Sequence, residues 1–243
     1  MSDRGVLMSV RGEARLTVPP DSAVIAGAIG ATRRSKAEAL RAAATALDSL
    51  TADLAALGGV ALGTDTRRRP LTWSAHSAAT QDEYAHDKTT GQHQPTGNVT
   101  ATVALVITVR VFELLDALGS HFSAHQALTV HDVSWHADWD NPGWRDVRAA
   151  AIQAAIAKGR DYATALGGQL SAVEHIADPG LLGGGDRDHW VGTSSRSMVM
   201  ATGGGRTENA PSLDPVPQEL TALIEARFTA SGVSLTREAP TGA

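Results

Sequence analysis

Hydrophobic and polar residues alternate loosely from Val6 to Val18, the period-two pattern of a strand with one face on a core. Val18-Pro19-Pro20-Asp21 ends that pattern, because two consecutive prolines remove two ladder donors and force a turn or bend. Ser22 to Arg33, rich in Val, Ile, Ala and Gly, reads as a second strand paired to the first. Ser35-Lys36-Ala37-Glu38 then has the form of a capping box, in which Ser and Glu side chains satisfy the first free N–H groups of a helix. Leu40, Leu47, Leu50, Leu54 and Leu57 fall on one helical face, and Gly58-Gly59 suits a left-handed C-terminal cap.

Leu71 to Thr80 and Asn98 to Val111 read as the strands of a long hairpin, separated by a polar, turn-rich excursion from Gln81 to Gly97. In the second strand Val99, Ala101, Val103, Leu105, Ile107 and Val109 share one face. Thr100, Thr102, Val106 and Thr108 share the other, so the outer side is itself half apolar. Phe112 to His121 carries Leu114, Leu115 and Leu118 and suits a short helix, and Leu128 to Asp138 alternates again. Asn141-Pro142 supplies an N-cap followed by proline at the first helical position, opening a long helix that ends at Gly167-Gly168.

Gln169 to Ala177 is a candidate strand, whereas Pro179 to Pro217 holds two triple-glycine runs and few large apolar residues, the composition of a loop or a partner-ordered segment. Leu220, Ala222, Ile224, Ala226 and Phe228 alternate with polar residues as a last strand. The pattern predicts an α+β fold, with antiparallel sheets built from strand–helix–strand units and two long helices and one short helix packed on them. One such domain is expected over residues 1–178 and 216–236, divisible into subdomains of about 1–97 and 98–236. Residues 179–215 are expected to be a Gly/Pro-rich flexible loop and 237–243 a disordered tail.

Composition narrows the function classes more than it selects one. A chain of 243 residues buries enough apolar surface to fold without metal or disulfide staples. The absence of cysteine excludes disulfides, thiolate nucleophiles and cysteine-based metal sites. A formal charge of −5, with basic residues scattered apart from Arg67-Arg68-Arg69, offers no extended basic face, so nucleic acid is not an expected partner. Basic residues are mostly arginine and alanine is abundant, the bias of a GC-rich genome. Met-Ser-Asp-Arg-Gly runs into the first alternating segment without the apolar core of a secretory signal, so a cytoplasmic location is expected. The most apolar stretch, Val99 to Val111, is broken by threonines and Arg110 and is too short to span a membrane.

The order of motifs resembles one family. Val10-Arg11-Gly12-Glu13 leading to Val18-Pro19-Pro20-Asp21, then a strand, a leucine-striped helix and a long threonine/valine strand, is similar to the SIMPL (DUF541) family. The likeness continues through Val109 to Leu118 and the alanine-rich Arg148 to Gly167 with its Ala163-Thr164-Ala165-Leu166-Gly167 end, and covers roughly residues 6–178 plus the last strand. The resemblance implies helices packed on antiparallel sheets and self-assembly into ring- or barrel-shaped oligomers in some members. It carries over no catalytic residue, and many relatives look periplasmic.

Several residues invite chemistry. In the segment His131 to Asp138, Asp132, His136 and Asp138 would share one strand face and could ligate a divalent metal, although alternating polar residues on a solvated face give the same pattern. No Gly-x-Ser-x-Gly elbow exposes a nucleophile, and neither Gly183-Gly184-Gly185 nor Gly203-Gly204-Gly205 is followed by Lys-Ser/Thr as a phosphate loop requires. Arg67-Arg68-Arg69-Pro70 reads as a solvated turn. Trp73, Trp135, Trp139 and Trp144 are expected in packing roles. Trp190, Met198 and Met200, set in the glycine-rich segment, suit docking onto a partner.

The expectation is therefore a non-catalytic, homo-oligomeric binding or scaffold protein without cofactor. One alternative is a metal- or small-molecule-dependent enzyme using the His131 to Asp138 strand, and another is a signalling adaptor acting through residues 179–215 on an unknown protein partner.

Overall fold

A computed structural model describes residues 5–63, 66, 68–86, 92–182 and 214–234. In chain order the elements are β1 (Val6–Val18), β2 (Ser22–Arg33), α1 (Lys36–Ala56), β3 (Val60–Ala61), β4 (Leu71–His86), β5 (His93–Val109), a 3-10 turn (Phe112–Leu114), α2 (Leu115–Ala124), β6 (Leu128–His136), α3 (Gly143–Ala165), β7 (Gln169–Ala177) and β8 (Gln218–Ser231). The class is α+β, as the pattern predicts. The elements fall into two compact units, one of residues 1–18, 139–196 and 218–243 and the other of residues 19–138 and 197–217.

The first unit is a three-stranded antiparallel sheet of order β1-β8-β7 with α3 packed on one face. β1 does not pair with β2, as its place in the sequence suggests, but with β8, from Val6↔Ala230 to Val18↔Gln218 without a break in register. The prolines at 19 and 20 explain the difference, because they carry the chain out of the sheet instead of folding it back as a hairpin. The inner face of β8 is the one its alternation predicts: Leu220, Ala222, Ile224, Ala226, Phe228 and Ala230 are all buried. Its outer face is charged, with Arg11 on β1 bound to Glu225 on β8 at 2.9 Å. That bond is the main cause holding the Glu225 carboxyl below its ordinary pKa.

α3 approaches this sheet on small side chains. Gly143, Val147, Ala151, Ala155, Gly159 and Ala163, one residue in every four, are buried beneath it. Where the helix crosses β1, a Cβ on Gly12 would stand 2.1 Å from the main-chain oxygen of Ala151 and 2.8 Å from the nitrogen of Ala155. Only glycine permits that approach, which gives the Val10-Arg11-Gly12-Glu13 motif a packing role. At the helix start the Asn141 side chain accepts the N–H of Gly143 at 2.8 Å. At its end the N–H groups of Gly167 and Gly168 close onto Thr164 and Ala163, each at 2.9 Å, the Schellman pattern.

The second unit is a five-stranded sheet of order β3-β4-β5-β2-β6. Its inner face, with Ile25, Ile29, Leu105, Ile107, Val109 and Leu71, packs on Ala39, Ala43, Leu50 and Leu54 of α1 and Leu115 and Leu118 of α2. The leucine stripe thus marks the correct face of α1, although Ala39 and Ala43 are buried as fully as Leu50 and Leu54, and Leu40, Leu47 and Leu57 lie at its margin. Ser35 caps α1 by accepting the Glu38 N–H at 3.3 Å, and the N–H groups of Gly58 and Gly59 close its end onto Ala55 and Leu54.

β4 and β5 form the expected hairpin, but the excursion read from Gln81 to Gly97 is largely strand, paired out to His86↔His93. Polar composition concealed it, because both faces of this part are solvated. A division near residue 97 would cut this hairpin, and the compact units instead divide after Val18 and after Asp138.

Replacing Gly12 by Ala is expected to cost about 3 kcal/mol, because a buried backbone contact must open to admit the methyl group. Gly30→Ala, at a site where a Cβ meets nothing within 4 Å, should stay within about 0.5 kcal/mol of the parent. Denaturant unfolding of both variants measures the contrast, and equal stabilities would show that α3 does not sit this close to β1.

Candidate functional site

The chain enters the larger unit at Pro19 and leaves it at Asp138, and the polar residues at those two points bind one another. The Asp21 N–H donates to the His136 carbonyl at 2.8 Å, and the Asp21 carboxylate accepts the Asp138 N–H at 2.8 Å. Ser22, which is buried, donates to Asp138 Oδ1 at 3.3 Å, and Arg110 Nη1 pairs with Asp138 Oδ2. The Arg110 N–H donates in turn to the Pro70 carbonyl at 2.8 Å. Val18-Pro19-Pro20-Asp21 is therefore one side of a clamp, and Asp138, read from the sequence as a possible metal ligand, is the other.

The remaining metal candidates are not brought together around it. Asp132, Ser134 and His136 share the outer face of β6, opposite Ala26, Val24 and Ser22. Side chains two apart on a strand stand about 7 Å from each other and those four apart about 13 Å, too far for Asp132 and His136 to share an ion. His136 Nε2 instead meets Ser134 Oγ at 3.0 Å. His131 is the extra residue of a bulge between Asp132 and Val130. Among the described residues no three His, Asp or Glu side chains converge as a metal site.

The tryptophans separate by role. Trp135 is buried edge-on against Phe112 at 5.2 Å, Trp73 is half-buried against the same core, Trp144 lies under the Arg148 guanidinium and Trp139 is 77% exposed. Arg67, Trp190, Met198 and Met200 lie outside the described residues, as do most of the 179–215 segment and the whole 237–243 tail.

Two features escaped the sequence reading. The first is an arm. β2 follows β5 only from Ala23↔Val109 to Arg33↔Val99, whereas β4 follows it further, to Tyr84↔Pro95, Ala85↔Gln94 and His86↔His93. The far ends of β4 and β5 therefore form a two-stranded ribbon with exposed residues on both strands. Its base is irregular, with Glu83 unpaired in the ladder opposite Thr96 to Asn98, and Gly97 at φ +79°. Glu83 ties that base together, accepting Asn98 Nδ2 at 2.9 Å and Thr96 Oγ1 at 2.7 Å, and these bonds hold its carboxyl below the ordinary pKa. A groove of about 380 Å³ runs beside it, lined by Thr80, Gln81, Asp82, Tyr84, Thr100 and Thr102 among others.

The second feature joins α1 to α2. Asp53 Oδ2 receives His125 Nε2 at 2.7 Å and His121 Nδ1 at 3.3 Å. The histidines are four apart across the end of α2, a spacing that places both rings on one side. The signal was present in the sequence, but nothing local named Asp53 as the partner.

Together these observations define an α+β protein of two sheet-and-helix units. The chain belongs to the SIMPL family, described as a protein of unknown function (DUF541), whose sequence pattern matches residues 8–228. No curated protein matches the chain. No helix among the described residues is long and apolar enough to cross a membrane.

The hydrogen bond from His125, aided by the positive charge of His121 and His125 and partly offset by desolvation, lowers the Asp53 pKa from 3.8. A carboxyl depressed in the folded state stabilises above its unfolded pKa, and that contribution is lost as pH falls through the lowered folded value. Asp53→Asn should therefore be less stable than the parent near neutral pH, with the difference disappearing under strong acid. Denaturant midpoints of the two chains measured from pH 6 down to pH 2 give the check, and a constant difference across that range would exclude the linkage.

Proposed function

We propose that this chain is a non-catalytic binding or scaffold protein that assembles with copies of itself. The β4–β5 arm carries the reading. A two-stranded ribbon exposed on both faces has no core of its own, and such ribbons are marginal in water unless something packs on them. A second copy is a partner of matching abundance and symmetry. The outer face of the larger sheet supports the same reading, since Val24, Ala26 and Ala28 on β2 lie opposite Thr108, Val106 and Ala104 on β5 without a charge among them. The clamp at Asp138 supports a role without chemistry of its own, because the carboxylate is engaged by Arg110 and Ser22.

Absolute mass by light scattering on a sizing column, over a wide concentration range, should show a closed multimer. A monomer throughout would overturn the proposal. A variant with Asp82 joined to Val99 through a two-residue turn removes the arm at a paired position of the ladder. It is expected to keep its fold by circular dichroism and to lose mass.

A further inference from the structure

Four strands stand at the ends of the two sheet orders, and three of them are short or irregular, features that protect an edge from pairing. β3 is two residues long, β6 has a register irregularity at its bulge and β7 has two. β1 has none. It runs 13 residues without a proline or a break in register, and among the described residues it pairs on one side only, with β8. On its outer face Ser9, Arg11, Glu13, Arg15 and Thr17 are exposed.

We propose that the open edge of β1 pairs antiparallel with the same edge of a second copy, about a two-fold axis through Gly12 and normal to the sheet. This rests on the self-assembly reading above and names one of its contacts. Gly12 is the middle residue of Val6–Val18, so this axis overlaps the whole strand, Val6 facing the partner's Val18. An axis normal to the sheet keeps equivalent side chains on the same face, which leaves only registers that differ by full two-residue steps.

Charge then selects among those registers. About Gly12, Arg11 faces the partner's Glu13, Glu13 faces the partner's Arg11, and Ser9 faces the partner's Arg15. An axis through Arg11 would set Arg11 against the partner's Arg11. An axis through Glu13 would set Glu13 against the partner's Glu13 and Arg11 against the partner's Arg15. Opposite charges directly across a ladder stabilise it and like charges destabilise it. The register of complete overlap is thus also the one in which the charges are self-complementary. Lys158 Nζ donates to the Arg11 carbonyl at 2.9 Å. A carbonyl oxygen has two lone pairs, so that bond is compatible with an N–H from a partner strand.

The natural absence of cysteine makes the test direct. In the proposed pairing position 9 of one copy lies about 5 Å from position 15 of the other, within disulfide reach. Along a single strand the same positions are about 20 Å apart, so no disulfide can form within one chain. The full-length double variant Ser9→Cys/Arg15→Cys is expected to run as a covalent dimer on a non-reducing gel after mild oxidation, and each single variant as a monomer. Equal cross-linking of the singles would overturn the register. A multimer by light scattering whose double variant forms no disulfide would overturn the β1 contact and leave self-assembly standing. A monomer at every concentration would remove both. Glu13→Arg places like charges on both sides of the axis and should weaken association roughly tenfold, with circular dichroism confirming that the variant is folded. Unchanged association would count against the pairing.

Discussion

Antiparallel pairing of the first strand with the last, from Val6↔Ala230 to Val18↔Gln218, is the constraint on which the rest of the structure depends. It joins parts of the chain roughly two hundred residues apart, so its closure entropy must be offset by contacts made elsewhere. α3 makes them, and it does so at short range because Gly12, Ala151 and Ala155 present almost no side chain at the crossing. The burial of Phe228 against Gly159 belongs to the same contact.

A second requirement follows. Everything between Val18 and Trp139 is an insertion into the smaller unit, and its two ends must lie together. Asp21, Ser22, Arg110 and Asp138 meet that requirement inside the larger unit by binding one another at its point of entry and exit. The motif Val18-Pro19-Pro20-Asp21 therefore carries two tasks in four residues: the prolines end a strand, and the aspartate anchors the exit. Asp138, which looks like a metal ligand in a linear reading, is bound by Arg110 and Ser22 in the fold.

The chain's membership of the SIMPL family rests on a pattern over residues 8–228, and within it Gly12 and Asp21 have structural partners here. Among the described residues three surfaces are of another kind: an exposed ribbon, an uncharged stretch of the larger sheet's outer face between β2 and β5, and one regular edge. Each is a backbone or packing surface, the kind on which the proposed self-association rests.

The sequence by itself determined what depends on neighbours a few residues away. The Ser35 cap, the glycine closures of α1 and α3, the buried face of β8 and the inner face of β5 were all legible, because helix and strand periodicity are local properties. Tertiary structure decided which strands pair, how far the β4–β5 ribbon extends, and what Asp138, Asp53 and Gly12 are for. Alternation reports that a strand has two faces but not which distant strand lies beside it, and a solvated ribbon has no apolar face to announce it. A carboxylate or a glycine likewise acquires its role only from the group the fold brings against it: Arg110, His125 or the backbone of Ala151.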